Sequence, residues 1–156
     1  MQRFLRRVKM TKYEYLKYLF PKKDFSGEEF DDMDLKNLDF ENSIFEGSIL
    51  NGTDFSGCNL KSCDFYWAQL LGANLSNAEL QGVDFRGANL NFANLKKANL
   101  TGANFGFSNI GAGASLVGAD LTDAVVQGAN FEGATYGDDT IFPDGFDPVS
   151  QELKKN

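Results

Sequence analysis

Apolar side chains recur at every fifth residue through most of this chain. In ANLNFANLKKANLTGANFGFSN, residues 88–109, they are Leu90, Leu95, Leu100 and Phe105. A β-strand alternates its faces at every residue, so a spacing of five would carry these side chains from one face to the other. On an α-helix, steps of five residues advance by about 140° and scatter the side chains around the cylinder. The spacing therefore predicts a solenoid whose chain turns a corner within every five residues.

The five-residue frame extends in both directions from this stretch. It begins with KDFSG at Lys23 and continues through SNIGA, residues 108–112, in which Ile110 is the central, inward residue. One additional residue falls within 111–113, and the blocks then continue over 114–138. We expect about 23 blocks, and each should bury one central apolar side chain.

Phenylalanine marks every fourth block, which indicates how many blocks make one circuit. Four blocks per coil would stack these rings in one column. The rings are Phe25, Phe45, Phe65, Phe85 and Phe105.

The blocks share the pattern A-[DN]-[LF]-x-G, as in ANLTG at 98–102 and ANFEG at 129–133. This pattern resembles the pentapeptide repeat family, and the terminal segment TIFPDGFDPV at 140–149 is similar to those of short members from photosynthetic bacteria. The resemblance implies an all-β fold, a right-handed quadrilateral parallel β-helix. It also implies that the central residue and the small residue two positions before it point inward.

The sequence predicts three segments. Residues 1–22 form a basic segment with a short capping helix, for which Thr11 and Glu14 supply a capping box. Residues 23–138 form the β-helix. Residues 139–156 form a C-terminal cap and tail, because an open coil exposes apolar core and unpaired strand edges. We expect the cap to fold three apolar side chains over the last coil, namely Ile141, Phe142 and Phe146.

Charge is unevenly distributed along the chain, whose net charge is −7. Residues 1–23 hold eight Lys or Arg, whereas the solenoid is acidic. The basic segment is interpreted as part of the cap, so we expect neither membrane contact by residues 1–20 nor direct binding of nucleic acid. No apolar run approaches the ~20 residues of a membrane span, and the N-terminus lacks a signal-peptide core. We therefore expect a cytoplasmic protein.

The residues that usually carry catalysis are scarce. The chain has no His, which removes the commonest general base and most zinc sites. Cys58 and Cys63 occupy the small inward position of consecutive blocks, where we interpret them as buried hydrophobic side chains. Acidic pairs such as Asp138 and Asp139 could bind Ca²⁺, but outward carboxylates are more often solvated. We predict no enzyme, no cofactor and no metal site.

Without a catalytic or metal site, the outer surface is the part of the molecule left to carry a function. We therefore predict a non-enzymatic scaffold that binds another protein, in a regulatory role. Placing the outward positions on the predicted walls gathers apolar and aromatic residues, which are typical of interfaces. A homodimer through the same patch is the other partner expected. The candidate interaction residues are Ile44, Ile49, Tyr66, Trp67, Leu71, Arg86, Phe92 and Phe107.

Row spacing makes two local predictions about this patch. Tyr66 should lie one coil from Arg86, within reach of a cation–π contact. Trp67 and Phe107 should share a row two coils apart, with Gly87 leaving a gap between them. The alternative to an interface is that these corner aromatics merely lie flat over the neighbouring coil.

The acidic charge of the solenoid suggests a second function. Some pentapeptide repeat proteins resemble duplex DNA in size and negative charge and occupy topoisomerase sites, so the resemblance implies DNA mimicry as an alternative. Asp24, Asp64 and Asp84 would share one row, and Asp34 and Asp54 another. The later blocks carry neutral Asn at the same positions, and no projecting loop is expected, which favours the scaffold.

Overall fold

A computed structural model describes residues 23–156. The basic segment 1–22 and its predicted capping helix therefore lie outside the described residues. Within them, two short strands are assigned, β1 (Thr135–Tyr136) and β2 (Lys154–Lys155), and they pair in parallel. All other pairing over 23–156 consists of isolated parallel bridges, and these residues contain no helix.

Each five-residue block forms one flat wall and one corner. The central side chain points inward, and Leu90 is 0% exposed. Asn89, which precedes it, accepts a hydrogen bond on its side-chain oxygen from the backbone N–H of Asn91 (3.1 Å). The backbone N–H of Ala93 closes the turn on the Leu90 carbonyl (3.0 Å). Phe92 at the corner has φ of 58°, the left-handed conformation. These requirements explain why Asp or Asn precedes the central residue and why Gly or Asn commonly ends the block.

Four walls make one coil. Asp24 bridges Ile44, Ile44 bridges Asp64, and Asp64 bridges Asp84, so the chain returns to the same wall after 20 residues. We name the walls A to D in chain order, from the blocks that contain Phe25, Phe30, Leu35 and Phe40. Walls A and B adjoin each other, and walls B and D face in opposite directions.

The predicted phenylalanine column lies in the core of wall A. Phe45 stacks on Phe65 with ring centroids 4.8 Å apart and the ring planes 4° from parallel. Phe85 stacks on Phe105 at 5.1 Å, and Phe105 stacks on Phe131 at 4.7 Å. The column confirms that four blocks make one coil.

The insertion is larger than the sequence predicts. The Asn104 and Asn130 side chains are hydrogen-bonded one coil apart but 26 residues apart in sequence, so this coil contains six additional residues rather than one. Residues 106–113 leave the wall as a loop, and Ile110 is 74% exposed. The prediction that Ile110 points inward is therefore wrong. One extra residue and six have the same phase in a five-residue repeat, and looping out a whole block keeps Phe131 in register with the column.

The C-terminal cap covers the last coil with two of its three predicted side chains. Phe142 and Phe146 stack at 4.8 Å, and Phe146 meets Phe131 edge-on at 5.1 Å. Ile141 differs from the prediction because it pairs with Asp120 at an outward position and is 50% exposed. The chain then returns to wall B, where β2 adds a rung beside β1.

Candidate interaction surface

The eight candidate residues lie on two adjoining walls and on their corners. Leu71, Phe92 and Phe107 are 44%, 59% and 38% exposed, and Ile44 is 38% exposed. The other four, Ile49, Tyr66, Trp67 and Arg86, are half-buried. Those from wall A are Ile44, Tyr66, Trp67 and Arg86, and those from wall B are Ile49, Leu71 and Phe92. Phe107 lies at the start of the 106–113 loop, where that loop leaves wall A.

Tyr66 and Arg86 form the contact that row spacing predicts. The Arg86 guanidinium carbon lies 5.4 Å from the centre of the Tyr66 ring. Arg86 is held there by Asp84, which accepts hydrogen bonds from its Nε and Nη2 at 3.0 and 2.6 Å. These bonds raise the pKa of Arg86 above its ordinary value. The pair places an aromatic ring beside a cation whose charge is balanced locally.

Three corner aromatics lie over glycines of the next coil. A Cβ atom at Gly87 would lie 2.7 Å from Cε2 of Trp67, and the rings of Phe92 and Phe107 cover Gly118 and Gly133 in the same way. The Trp67 indole thus fills the gap predicted at Gly87, and that prediction is wrong. The flat arrangement considered as the alternative therefore describes these rings, although Phe92 and Phe107 are still 59% and 38% exposed. Lys154 also lies over the Phe107 ring, with Nζ 4.7 Å from the ring centre.

Two of these aromatics occupy a backbone conformation that suits glycine better. Trp67 has φ of 56° and Phe92 has φ of 58°. A bulky side chain in the left-handed region is uncommon, and such strain costs on the order of 1–3 kcal/mol. Packing on Gly87 and Gly118 offsets part of that cost. Since Asn or Gly would satisfy these corners without strain, the fold itself does not require an aromatic side chain there.

The loop at 106–113 adds an apolar tip that the sequence analysis missed. Tyr66 donates its hydroxyl proton to the Asn109 side-chain oxygen (2.6 Å) and accepts from the Asn109 backbone N–H (3.2 Å). Ser108 N–H donates to the Ala112 carbonyl (2.7 Å) inside the loop. These bonds fix the loop above Tyr66 and leave Ile110 exposed. The only sign of this loop in the sequence was the break in the five-residue frame within 111–113.

Wall B is free of formal charge over four successive coils. Its blocks at 48–52, 68–72, 88–92 and 114–118 contain no Asp, Glu, Lys or Arg, whereas each other wall carries charged residues within the corresponding coils. At a coil spacing of about 4.8 Å, the uncharged stretch extends roughly 14 Å along the solenoid. Leu71 and Phe92 are exposed on it. Two exposed apolar side chains, Leu71 and Phe92, therefore lie on the least charged part of the solenoid.

The acidic rows are partly neutralised by neighbouring cations. Lys36 lies 3.3 Å from Asp54, and Lys96 lies 3.0 Å from Asp120. Burial raises the pKa of each carboxyl, but hydrogen bonds outweigh it and leave both values below 3.8. For Asp54 the strongest of these bonds come from Ser56, and for Asp120 from Thr122. No residue from 85 to 119 is acidic, so negative charge is interrupted along the solenoid.

The acidic side chains also have a role in the fold that does not depend on charge. Asp64 accepts the backbone N–H of Tyr66 at 2.8 Å, and Asn104 accepts that of Gly106 at 3.0 Å. The two residues occupy equivalent positions one above the other on wall A. Asn can therefore replace Asp in this turn without loss of the hydrogen bond.

The two cysteines are buried, as predicted. Cys58 Sγ donates to the Leu35 carbonyl and Cys63 Sγ to the Phe40 carbonyl, both at 3.0 Å. Burial raises the pKa of Cys63 to about 12, which keeps the thiol protonated at neutral pH. Neither thiol is placed to act as a nucleophile.

The residues from 23 to 156 contain no group of three or more His, Cys, Asp or Glu side chains that could hold a metal ion. A shallow groove of about 200 Å³ lies between 129–132 and 150–152, and Glu132 and Glu152 line it. Both residues are exposed to solvent, so the groove does not enclose a desolvated site. No helix among the described residues is long and apolar enough to cross a membrane.

These features define a four-sided β-solenoid whose interior is filled by its own side chains. A family profile described as "Pentapeptide repeat region" matches residues 38–114, and one described as "Pentapeptide repeats (8 copies)" matches 112–135. The chain belongs to the pentapeptide repeat family, and its fold is the right-handed quadrilateral β-helix.

One solved structure shows the same fold at high structural similarity. The chain is similar to Rfr23, a pentapeptide repeat protein from the cyanobacterium Cyanothece 51142, with a TM-score of 0.75 and 24% identity over 85% of this chain and 99% of that chain. It is also similar to a pentapeptide repeat protein from the Arabidopsis thaliana thylakoid lumen, with 31% identity over 73% of this chain and 68% of that chain and a TM-score of 0.36.

A trypsin-treated form of QnrB1, a plasmid-mediated fluoroquinolone resistance protein, is 20% identical over 85% of each chain, with a TM-score of 0.37. That similarity is too low to transfer a role to this chain. A search of curated proteins found no match.

Proposed function

We propose that this chain is a non-enzymatic scaffold, in a regulatory role, that binds another protein through walls A and B. The observation that carries the proposal is the coincidence of exposed Leu71 and Phe92 with the uncharged part of wall B. Interface centres are depleted in charged residues and enriched in aromatic ones. The uncharged part of wall B meets the first condition on a chain in which 24% of residues are charged, and Phe92 supplies an exposed aromatic ring there.

The adjoining corner of wall A extends this surface. Trp67, Tyr66 and Phe107 supply aromatic area, and Arg86 supplies a cation whose position is fixed by Asp84. Their side chains are held by packing and hydrogen bonds, so little conformational entropy is lost when a partner binds. A rigid surface of this kind suits recognition better than catalysis, since the interior is filled by the solenoid's own Leu and Phe side chains.

Affinity purification from the native host tests the proposal. The variant carries Leu71→Ser and Phe92→Ser, and the matched control carries Val125→Ser, because Val125 is 48% exposed on the opposite wall D. We expect the wild type and the control to retain the same bound proteins and the double variant to lose them. If all three capture the same proteins, or none, the surface assignment is wrong.

DNA mimicry remains the alternative, and the acidic rows of walls A and C are the observation that favours it. A mimic needs a continuous negative field, whereas the ion pairs at Asp54, Asp84 and Asp120 and the acid-free stretch at 85–119 interrupt it. We therefore rank it second. A gyrase supercoiling assay tests it directly: inhibition by micromolar wild-type protein that is lost in an Asp64→Asn, Asp84→Asn variant would place mimicry first.

A further inference from the structure

We propose that two copies of this chain pair face to face through wall B, with their solenoid axes antiparallel. The proposal rests on the proposed function in one respect, since it also assigns wall B to binding. It goes further by naming the occupant, a second copy, and its orientation. The argument comes from the order of residues along the ladder of this wall.

Seven bridged residues form that ladder, one on each coil. In order they are Glu29, Ile49, Gln69, Asn89, Ser115, Thr135 and Lys154. The spacing of about 4.8 Å makes the ladder roughly 29 Å tall. The lower end is acidic, since the block EEFDD at 28–32 holds four carboxylates. The upper end is the Lys154–Lys155 strand, in which Lys155 is paired with Asp138 and Lys154 lies over the Phe107 ring, so Lys154 supplies the cation of the ladder. The uncharged stretch lies between these ends.

A half-turn about an axis in the plane of wall B, perpendicular to the solenoid and level with Asn89, exchanges the two ends. Each copy then presents Lys154 opposite Glu29 of the other, at the same lateral position on the wall. Such an isologous contact is self-complementary, because the ladder is acidic at one end and basic at the other. A parallel arrangement would instead bring four carboxylates of one copy against four of the other.

The same half-turn matches apolar with apolar positions. Leu71 on the third coil comes opposite Val117 on the fifth, and both follow the central residue of their blocks. Phe92 on the fourth coil comes next to Phe92 of the second copy, close to the axis. Ile49 comes opposite Thr135. Because the four central blocks contain no charged residue, this contact would bury no unpaired charge at its centre.

The width of the wall predicts a weak dimer. Stable interfaces bury about 800 Å² on each partner, and one wall of five residues is narrower than that requires. Self-association should therefore be measured by sedimentation equilibrium from micromolar to millimolar protein. We expect a monomer–dimer equilibrium for the full chain, and a monomer throughout this range would overturn the proposal.

Two variants locate the contact. Phe92→Lys should weaken the dimer about tenfold or more, since it places two cations beside each other near the axis. Val125→Lys, on the opposite wall, should leave the dimer unchanged. Circular dichroism and thermal unfolding of each variant establish that it folds. Equal weakening by both variants, or by neither, would overturn the assignment to wall B.

Charge reversal tests the orientation. Lys154→Glu should weaken the dimer because it faces Glu29 of the second copy, and adding Glu29→Lys should restore it. Additive weakening in the double variant would contradict the antiparallel arrangement. These measurements need no other protein. A missing dimer, together with host proteins that the wild type captures and the Leu71→Ser, Phe92→Ser variant loses, would refute this inference and leave the proposed scaffold supported.

Discussion

Walls B and D enclose the same core but differ on the outside. Inward residues of both walls are buried Leu, such as Leu90 on wall B and Leu100 on wall D. Outward, wall D carries Asp39, Glu41 and the Lys61–Glu79 ion pair as well as exposed Val125, whereas wall B beyond its acidic first block carries exposed Leu71 and Phe92 without any charge over four coils. The fold needs only the inward pattern, the turn acceptor and a corner residue that tolerates positive φ. The apolar character of wall B is therefore not explained by folding, and we attribute it to binding.

Truncation of a core leucine should cause the largest loss of stability, and the loss should be the same on the two walls. Leu90→Ala on wall B and Leu100→Ala on wall D each remove a fully buried side chain from the core. We expect each to lower the free energy of unfolding by about 2–5 kcal/mol, measured by urea denaturation. A large difference between the two variants would contradict the claim that the walls are equivalent inside.

Substitutions of the corner glycines should lower stability by different amounts on walls B and D, and by less than the core substitutions. Gly118 and Gly102 both have positive φ, at 68° and 67°, but the Phe92 ring covers Gly118 whereas nothing lies within 4 Å of a Cβ at Gly102. Gly102→Ala should cost only the backbone strain, about 1 kcal/mol, and Gly118→Ala should cost more because Phe92 must move. Thermal unfolding of the two variants measures the difference. Equal losses would mean that Phe92 is not packed on the corner.

Replacing the exposed aromatic should change binding and leave stability almost unaltered. Phe92→Asn removes the ring from a corner with φ of 58°, a conformation that Asn tolerates. We expect the free energy of unfolding to change by less than about 1 kcal/mol, because relief of strain offsets lost packing on Gly118. Binding of a partner protein or of a second copy through wall B should be lost in the same variant. Lys97→Asn, at a corner with the same φ, is the matched control and should alter neither.

The smallest expected effect is on stability in acid, and it concerns wall C, which carries Asp120, rather than the uncharged part of wall B. The pKa of Asp120 is lowered from 3.8 in the folded protein, so this carboxylate stabilises the fold above that pH. The contribution disappears as the pH falls through the lowered folded value. Asp120→Asn should therefore reduce the dependence of the melting temperature on pH between about 5 and 2. An unchanged pH profile would mean that the contacts with Thr122 and Lys96 contribute nothing.

Much of the fold could be predicted from the sequence because the five-residue period has only one structural solution. Leu90, Leu95 and Leu100 follow that period without a break, and the phenylalanine spacing shows that a coil has four walls. The size of the insertion could not be predicted, since one residue and six give the same phase. Register across the gap is decided by contacts between coils, above all the stack of Phe105 on Phe131.

The positions of side chains on the candidate surface were predicted in part. The 20-residue period of the coils placed Tyr66 beside Arg86, because residues 20 apart occupy equivalent positions on successive coils. It could not place the Trp67 indole over Gly87, since a rotamer depends on the space left by the neighbouring coil. The exposed tip at Ile110 was missed for the same reason as the loop. Residue position is encoded by the repeat, whereas side-chain direction at a corner is decided by packing.

Site-specific photocrosslinking tests the central claim most directly. The photoreactive residue p-benzoylphenylalanine would replace Phe92 on wall B in one protein and Val125 on wall D in another, both expressed in the native host and irradiated in cells. We predict covalent adducts, with a second copy or another protein, from position 92 and none from position 125. Adducts of equal yield from both positions, or none from position 92, would contradict the claim that wall B is the binding surface.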